Sequence, residues 1–138
     1  MAAEPSERAS ESRGTVVALI PDVFFSVTVR NVVRRGGFNP VIVSAAGDLT
    51  RVAREHDAVL AIVDATAVRG DGGWAEIGAV DRECAPVLVF GPHRDVDVLR
   101  RAKGAGVTRL VSNSQFHGDM LSLITRYARN HSVEADDT

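Results

Sequence analysis

The chain has 138 residues, 45% hydrophobic and 25% charged, which suits one globular domain with its own core. The formal net charge is −2, and the segment from Thr15 to Asn130 carries 14 basic against 12 acidic residues, too even a balance to argue for direct nucleic-acid binding. A single cysteine, Cys84, excludes an internal disulfide and a cysteine-based zinc site, and no apolar run approaches the roughly 20 residues that span a bilayer.

Met1 to Gly14 is polar, carries Glu4, Glu7, Arg8, Glu11 and Arg13, and lacks the apolar core of a secretory signal. It reads as a disordered lead-in to a cytoplasmic protein. An apolar strand, Thr15–Ile20, follows. Val23–Arg35 is a helix, apolar at Phe25, Val29, Val32 and Val33 and stopped by Gly36-Gly37; its β-branched residues are poor helix formers, so packing must hold it. Strand Val41–Ser44 leads to Asp48, read as the N-cap of a helix over Leu49–Glu55. Strand Ala58–Val63 runs into Asp64 and a loop containing Asp71-Gly72. Trp74, Ile77 and Val80 mark a helix reaching about Arg82. Strand Pro86–Phe90 precedes Asp95, the N-cap of a helix over Val96–Lys103. Strand Arg109–Ser112 is followed by a last helix, Phe116–Arg129, apolar at Phe116, Met120, Ile124 and Tyr127. An acidic tail, residues 131–138 with Glu134, Asp136 and Asp137, ends the chain.

The strands are short and nearly continuous in Val, Ile and Leu, the signature of strands buried on both faces of a parallel sheet. Five β-α units with right-handed crossovers give an α/β fold: a five-stranded parallel sheet with helices on both faces, in one domain over residues 15–130. In such folds the chemistry sits at the carboxyl ends of the strands. Asp64 is the carboxylate there.

Asp64-Ala-Thr-Ala-Val-Arg-Gly-Asp71-Gly72, with Ala105-Gly106 before the fifth strand, resembles the receiver domain of bacterial two-component response regulators over roughly Thr15 to Asn130. The resemblance implies a flavodoxin-like fold and makes Asp64 the phosphoacceptor position. In that family an acidic pair after the first strand holds a divalent cation with the phosphoacceptor. Hard oxygen ligands suit a cation that must neutralise an incoming phosphoryl group. Here the pair reads Pro21-Asp22, leaving Asp22 and Asp64 as a thin candidate Mg2+ site. The family's Ser or Thr at the end of the fourth strand falls on Gly91, and no hydroxyl residue lies between Cys84 and Val107. Its Lys after the fifth strand falls on Asn113 or the neighbouring Ser112, while Lys103, the sole lysine, lies in the preceding helix; Arg109 adds charge near the mouth only if its side chain turns that way. Val68 stands where the family has a loop proline. Pro21, Asp22, Gly91 and Asn113 are thus the positions of a degenerate pocket.

Plainer roles stand beside these. Asp22 reads equally as a metal ligand and as a turn or helix cap. His93 is a solvated loop histidine, Cys84 is inert, and His56, His117 and His131 have no metal-ligand spacing with one another. Gly70, Gly72 and Gly73 are not a dinucleotide signature, since no Gly-rich turn directly follows the first strand.

The expectation is an atypical, stand-alone receiver, or pseudo-receiver, acting in signal transduction as a phosphorylation-independent protein-interaction module. Its partner would be a protein (a regulator, a kinase or a second copy), with no direct nucleic-acid or membrane contact and no cofactor beyond the candidate Mg2+. Arg126, Tyr127 and Arg129 mark a candidate partner face, homodimer included. Two alternatives stand: a phosphorylated single-domain response regulator with Asp64 as acceptor, and a small-ligand or nucleotide sensor in the strand-end crevice, which Gly91, Asn113 and Ser114 would widen. No nucleophile–base pair argues for an enzyme. With only eight mostly polar residues after Asn130, no DNA-binding element is expected to follow.

Overall fold

The computed structural model describes residues 12–92 and 94–129. His93, His131, the acidic tail and most of the lead-in lie outside them. Strands β1 (Thr15–Leu19), β2 (Asn39–Val43), β3 (Leu60–Asp64), β4 (Val87–Gly91) and β5 (Arg109–Ser112) pair in parallel in the order β2-β1-β3-β4-β5. This is the doubly wound, flavodoxin-like order. Helices α1 (Val23–Arg35), α2 (Leu49–Glu55), α3 (Gly70–Glu83) and α4 (Val96–Ala105) connect the strands, and α5 (Asn113–Tyr127) follows β5.

Both faces of the sheet are covered, so the inner strands β1, β3 and β4 are nearly continuous in apolar residues and their alternation appears only in three dimensions. Val17, Leu19, Ala61, Val63, Val87 and Val89 pack with Leu49 and Val52 of α2, Trp74, Ile77 and Val80 of α3, and Ala102 of α4. Val16, Ala18, Leu60, Ile62, Leu88, Phe90 and Val111 pack on the other face with Val29 and Val33 of α1 and Phe116, Met120 and Ile124 of α5. Burial of each such Val, Leu or Ile stabilises by about 1.5–3 kcal/mol, which holds a valine-rich α1 that propensity alone would not.

Local chemistry sets the helix ends. Asp22 accepts from Phe24 N–H at 2.9 Å and Phe25 N–H at 3.2 Å, capping α1. Asp95 caps α4 through Val98 N–H at 3.2 Å, and α4 ends on Gly106 at φ +81°, the left-handed region that glycine enters freely. Asp48 departs from its expected role. It closes a short 3-10 turn, Ala46–Asp48, makes no cap hydrogen bond, and pairs with Arg51 at 3.2 Å. The expected Asp71-Gly72 loop is likewise the first turn of α3, which begins at Gly70 because Trp74 and Ile77 bury the face that follows. Asp119 has non-helical angles (φ −123°, ψ 27°) and kinks α5 just after Gly118.

Two contacts fix α3. A Cβ on Gly78 would lie 2.4 Å from the Ala105 carbonyl oxygen, so only glycine lets α3 approach the end of α4 this closely. One oxygen of Asp81 accepts from Val87 N–H at 3.0 Å and from Thr108 N–H and Oγ1, each at 2.7 Å, tying α3 to the starts of β4 and β5. At the opposite edge Arg13 donates from its backbone to Gly37 O at 2.9 Å and its guanidinium lies 4.9 Å over the Phe38 ring, so the described chain is held two residues before β1. Among the described residues no helix is long and apolar enough to cross a membrane.

Candidate functional site

An open depression of about 470 Å3 lies at the carboxyl ends of β1, β3 and β4 and the starts of α1 and α5, lined by Asp22, Phe24, Phe25, Thr28, Asp64, Thr66, Phe90, Asn113 and His117. Asp64, Asp22 and Asn113 thus meet as expected, although far apart in sequence. Pro21 is exposed beside the cavity and is not part of its lining. Arg109 and Lys103 lie elsewhere, along the open edge of β5.

Asp64 is half-buried at the end of β3. Its Oδ1 accepts from Thr66 N–H at 2.9 Å and from Thr66 Oγ1 at 2.7 Å, capping the short turn Ala65–Ala67. Asp22 likewise commits its Oδ1 to the first turn of α1. The Oδ2 atom of each carboxylate has no hydrogen bond and no ion pair among the described residues. Asp22 therefore caps α1 and also lines the cavity.

The register of β3 and β4 sets which residue of the fourth strand stands beside Asp64. Asp64 pairs with Phe90, not Gly91. Side chains at paired positions of adjacent strands share a face, so Phe90 points toward α1 and α5 and lines the cavity with Asp64. Gly91 turns to the other face, where a Cβ would lie 2.9 Å from the Cβ of Ala65. Phe90 is the fourth-strand residue that lines the cavity beside Asp64, and Gly91 is not part of that lining. After β5, Asn113 lines the cavity, while Ser112 Oγ caps α5 by accepting from Gln115 N–H at 3.1 Å.

Four aromatic groups wall this region. Phe90 stacks on Phe116 at 4.3 Å and 5° between planes, and Phe25 meets Phe90 edge-on at 5.6 Å and stacks on His117 at 4.5 Å. Thr66 and His117 are contributors that sequence reasoning passed over. A hydroxyl two residues after a strand-end Asp is a turn-forming signal, and His117 lies one turn beyond Asn113 on the same helix face. No group of three His, Cys, Asp or Glu placed to hold a metal occurs among the described residues. Two carboxylates, each with one oxygen engaged in a cap, fall an acidic group short of the set that the resemblance implies for Mg2+.

No family model and no curated relative matches the sequence. Solved structures do match. A response regulator from Thermotoga maritima superposes with TM-score 0.68 at 18% identity, over 83% of this chain and 96% of that one. The chemotaxis response regulator CheY4 of Vibrio cholerae gives 0.70 at 15%, over 84% and 99%. The beryllofluoride-activated NtrC4 receiver domain, a dimer, gives 0.63 at 15%, over 83% and 98%.

The chain folds as a receiver domain.

In this receiver fold an aromatic ring, Phe90, and a neutral amide, Asn113, line the cavity with Asp64. The aromatic wall is continuous with the core through Phe116, which is fully buried, so it is a packed part of the domain. At the rim the apolar character continues outward: Val23 is 72% exposed, Phe24 86% and Val27 45%, all on the first turns of α1.

Proposed function

We propose that this domain acts in signal transduction as a protein-interaction module whose association does not depend on phosphorylation of Asp64. The observation that carries the reading is the pairing of Asp64 with Phe90. A phosphoryl group on Asp64 would bring about two negative charges beside an aromatic ring that offers no donor, with Asn113 in place of an ammonium group. A modification shifts a conformational equilibrium only by its differential affinity for the two states. Without a hydroxyl and a lysine to draw toward the phosphoryl oxygens, that difference is small.

The exposed stripe Val23, Phe24 and Val27 supports an interaction role, because clustered apolar side chains on a small domain mark contact surfaces more often than scattered ones do. The partner in this reading is another protein of the cytoplasm or a second copy; the NtrC4 receiver shows a dimer on the same fold.

Incubation with acetyl phosphate and Mg2+, followed by intact-mass measurement of the parent and Asp64→Asn, tests the reading. The expected result is no added phosphoryl mass in either. A near-stoichiometric adduct in the parent that disappears in Asp64→Asn would replace this reading with a phosphorylated single-domain regulator.

A further inference from the structure

Helix α1 has two opposite faces, and the domain core uses one of them. Phe25, Val29 and Val33 turn inward and pack with the sheet and α5. Val23, Phe24, Val27, Asn31, Arg34 and Arg35 are all exposed, and helical periodicity gathers them into one sector opposite the buried one. Four large apolar side chains are strongly exposed among the described residues, and three of them, Val23, Phe24 and Val27, lie on this face. The fourth, Val96, is on α4. A cluster of this kind on one helix marks a contact surface.

The charges along the same face say what covers it. Asp22 caps the amino end, the helix itself contains no acidic residue, and Arg34 and Arg35 close the carboxyl end. None of the three forms an ion pair among the described residues. A face that is acidic at one end and basic at the other is complementary to itself when turned end for end. That is the requirement of a two-fold contact between identical copies. With two α1 helices antiparallel and Val27 near the axis, Arg34 and Arg35 come level with the partner's Pro21 and Asp22. Phe24 then lies beside the partner's Asn31 and the aliphatic stem of its Arg34. The helix dipoles also oppose one another. A parallel pair would instead bring the arginines of both copies together. A foreign helix would have to supply an acid and a base in this register, whereas a second copy supplies both by symmetry.

We infer that α1 forms an antiparallel two-fold contact with α1 of a second copy, centred on Val27 and closed at each end by Asp22 with Arg34 and Arg35. The inference rests on the reading that this domain works through protein association, and it names the surface and the partner. One face of a thirteen-residue helix offers less than the roughly 800 Å2 per partner of a standard interface. The dimer is therefore weak, with a dissociation constant on the order of 10–100 μM.

Sedimentation velocity of the whole protein, without phosphodonor, at concentrations from about 1 to 500 μM brackets that constant and tests the inference. A monomer at the low end and a dimer at the high end are expected, with weaker association in high salt as the exposed pairs are screened. Phe24→Asp and Val27→Asp, both at exposed positions, should keep the circular dichroism of the parent and stay monomeric throughout. Asp22→Asn keeps the cap acceptor and should weaken the dimer by about three- to ten-fold, because symmetry removes the pair at both ends. Val96→Asp, on α4, should leave association unchanged. Orientation is read by a nitroxide attached at position 31 of an Asn31→Cys, Cys84→Ser copy mixed with 15N-labelled parent. Broadening centred on the amides of Val23 and Phe24 is expected. A monomer at every concentration, a dimer that survives Phe24→Asp and Val27→Asp, or broadening centred on Asn31 or away from α1 would overturn the inference. Such a failure leaves the phosphorylation-independent reading standing, since that falls to a phosphoryl adduct on Asp64, which these measurements do not involve.

Discussion

Phe90→Thr places a hydroxyl opposite Asp64 and measures what the ring contributes. Phe90 is 3% exposed, stacked on Phe116 at 4.3 Å and met edge-on by Phe25 at 5.6 Å. Truncation of a buried Phe to Ala costs about 3–5 kcal/mol. Threonine returns about 0.8 kcal/mol for its extra methyl group. Its hydroxyl, on the face of the strand that Asp64 shares, has that carboxylate as acceptor and so avoids most of the penalty for burying an unsatisfied polar group. The net expectation is a loss of about 3 kcal/mol. With a urea m-value of about 1.5 kcal/mol/M the unfolding midpoint falls by roughly 2 M, and a domain of ordinary stability stays folded. Equilibrium urea unfolding followed by circular dichroism reads this directly. A loss under about 1 kcal/mol at unchanged m would refute the packing of the ring against α1 and α5, and with it the place of Phe90 in the cavity wall.

The close approach of α3 to α4 predicts that Gly78→Ala costs about 1–3 kcal/mol in urea unfolding, as overpacking against a backbone carbonyl does; a neutral result would mean the helices separate without strain. Asp81→Ala removes three hydrogen bonds and leaves Val87 N–H and Thr108 N–H to find water, for an expected loss of about 2 kcal/mol. Faster amide exchange at the starts of β4 and β5 should accompany it. Asp95→Ala should cost about 1 kcal/mol as a lost N-cap, while Asp48→Ala, which loses only an exposed pair with Arg51, should cost less than about 0.5 kcal/mol. Equal losses would contradict the different geometries of the two aspartates.

The strands were legible because burial on both faces writes an unbroken apolar run, and the same fact hid the register. A half-exposed strand announces which residues face inward by its polar alternates; Val87 to Phe90 has none, so Phe90 and Gly91 could not be told apart by pattern. Helix α1 was readable to its last residue because Asp22 and Gly36-Gly37 bracket it. The start of α3 was not, because Gly70, Gly72 and Gly73 read as a loop and only the burial of Trp74 and Ile77 draws them into the helix. Asp48 resembled Asp95 in sequence, yet the preceding 3-10 turn gives it αR angles and turns its side chain to Arg51. At the site, Asp64, Asp22 and Asn113 were readable from resemblance. The aromatic wall was not, since Phe25, Phe90 and Phe116 come from three elements that meet only in the folded chain.

The central claim, that Asp64 no longer drives a switch, is tested most directly by titrating the 15N-labelled protein with beryllofluoride and Mg2+ and following its amide shifts. The account predicts no saturable change at Asn113 or His117 and none along α5. Saturating shifts that begin at Asp64 and extend to Leu123 and Ile124 would contradict it.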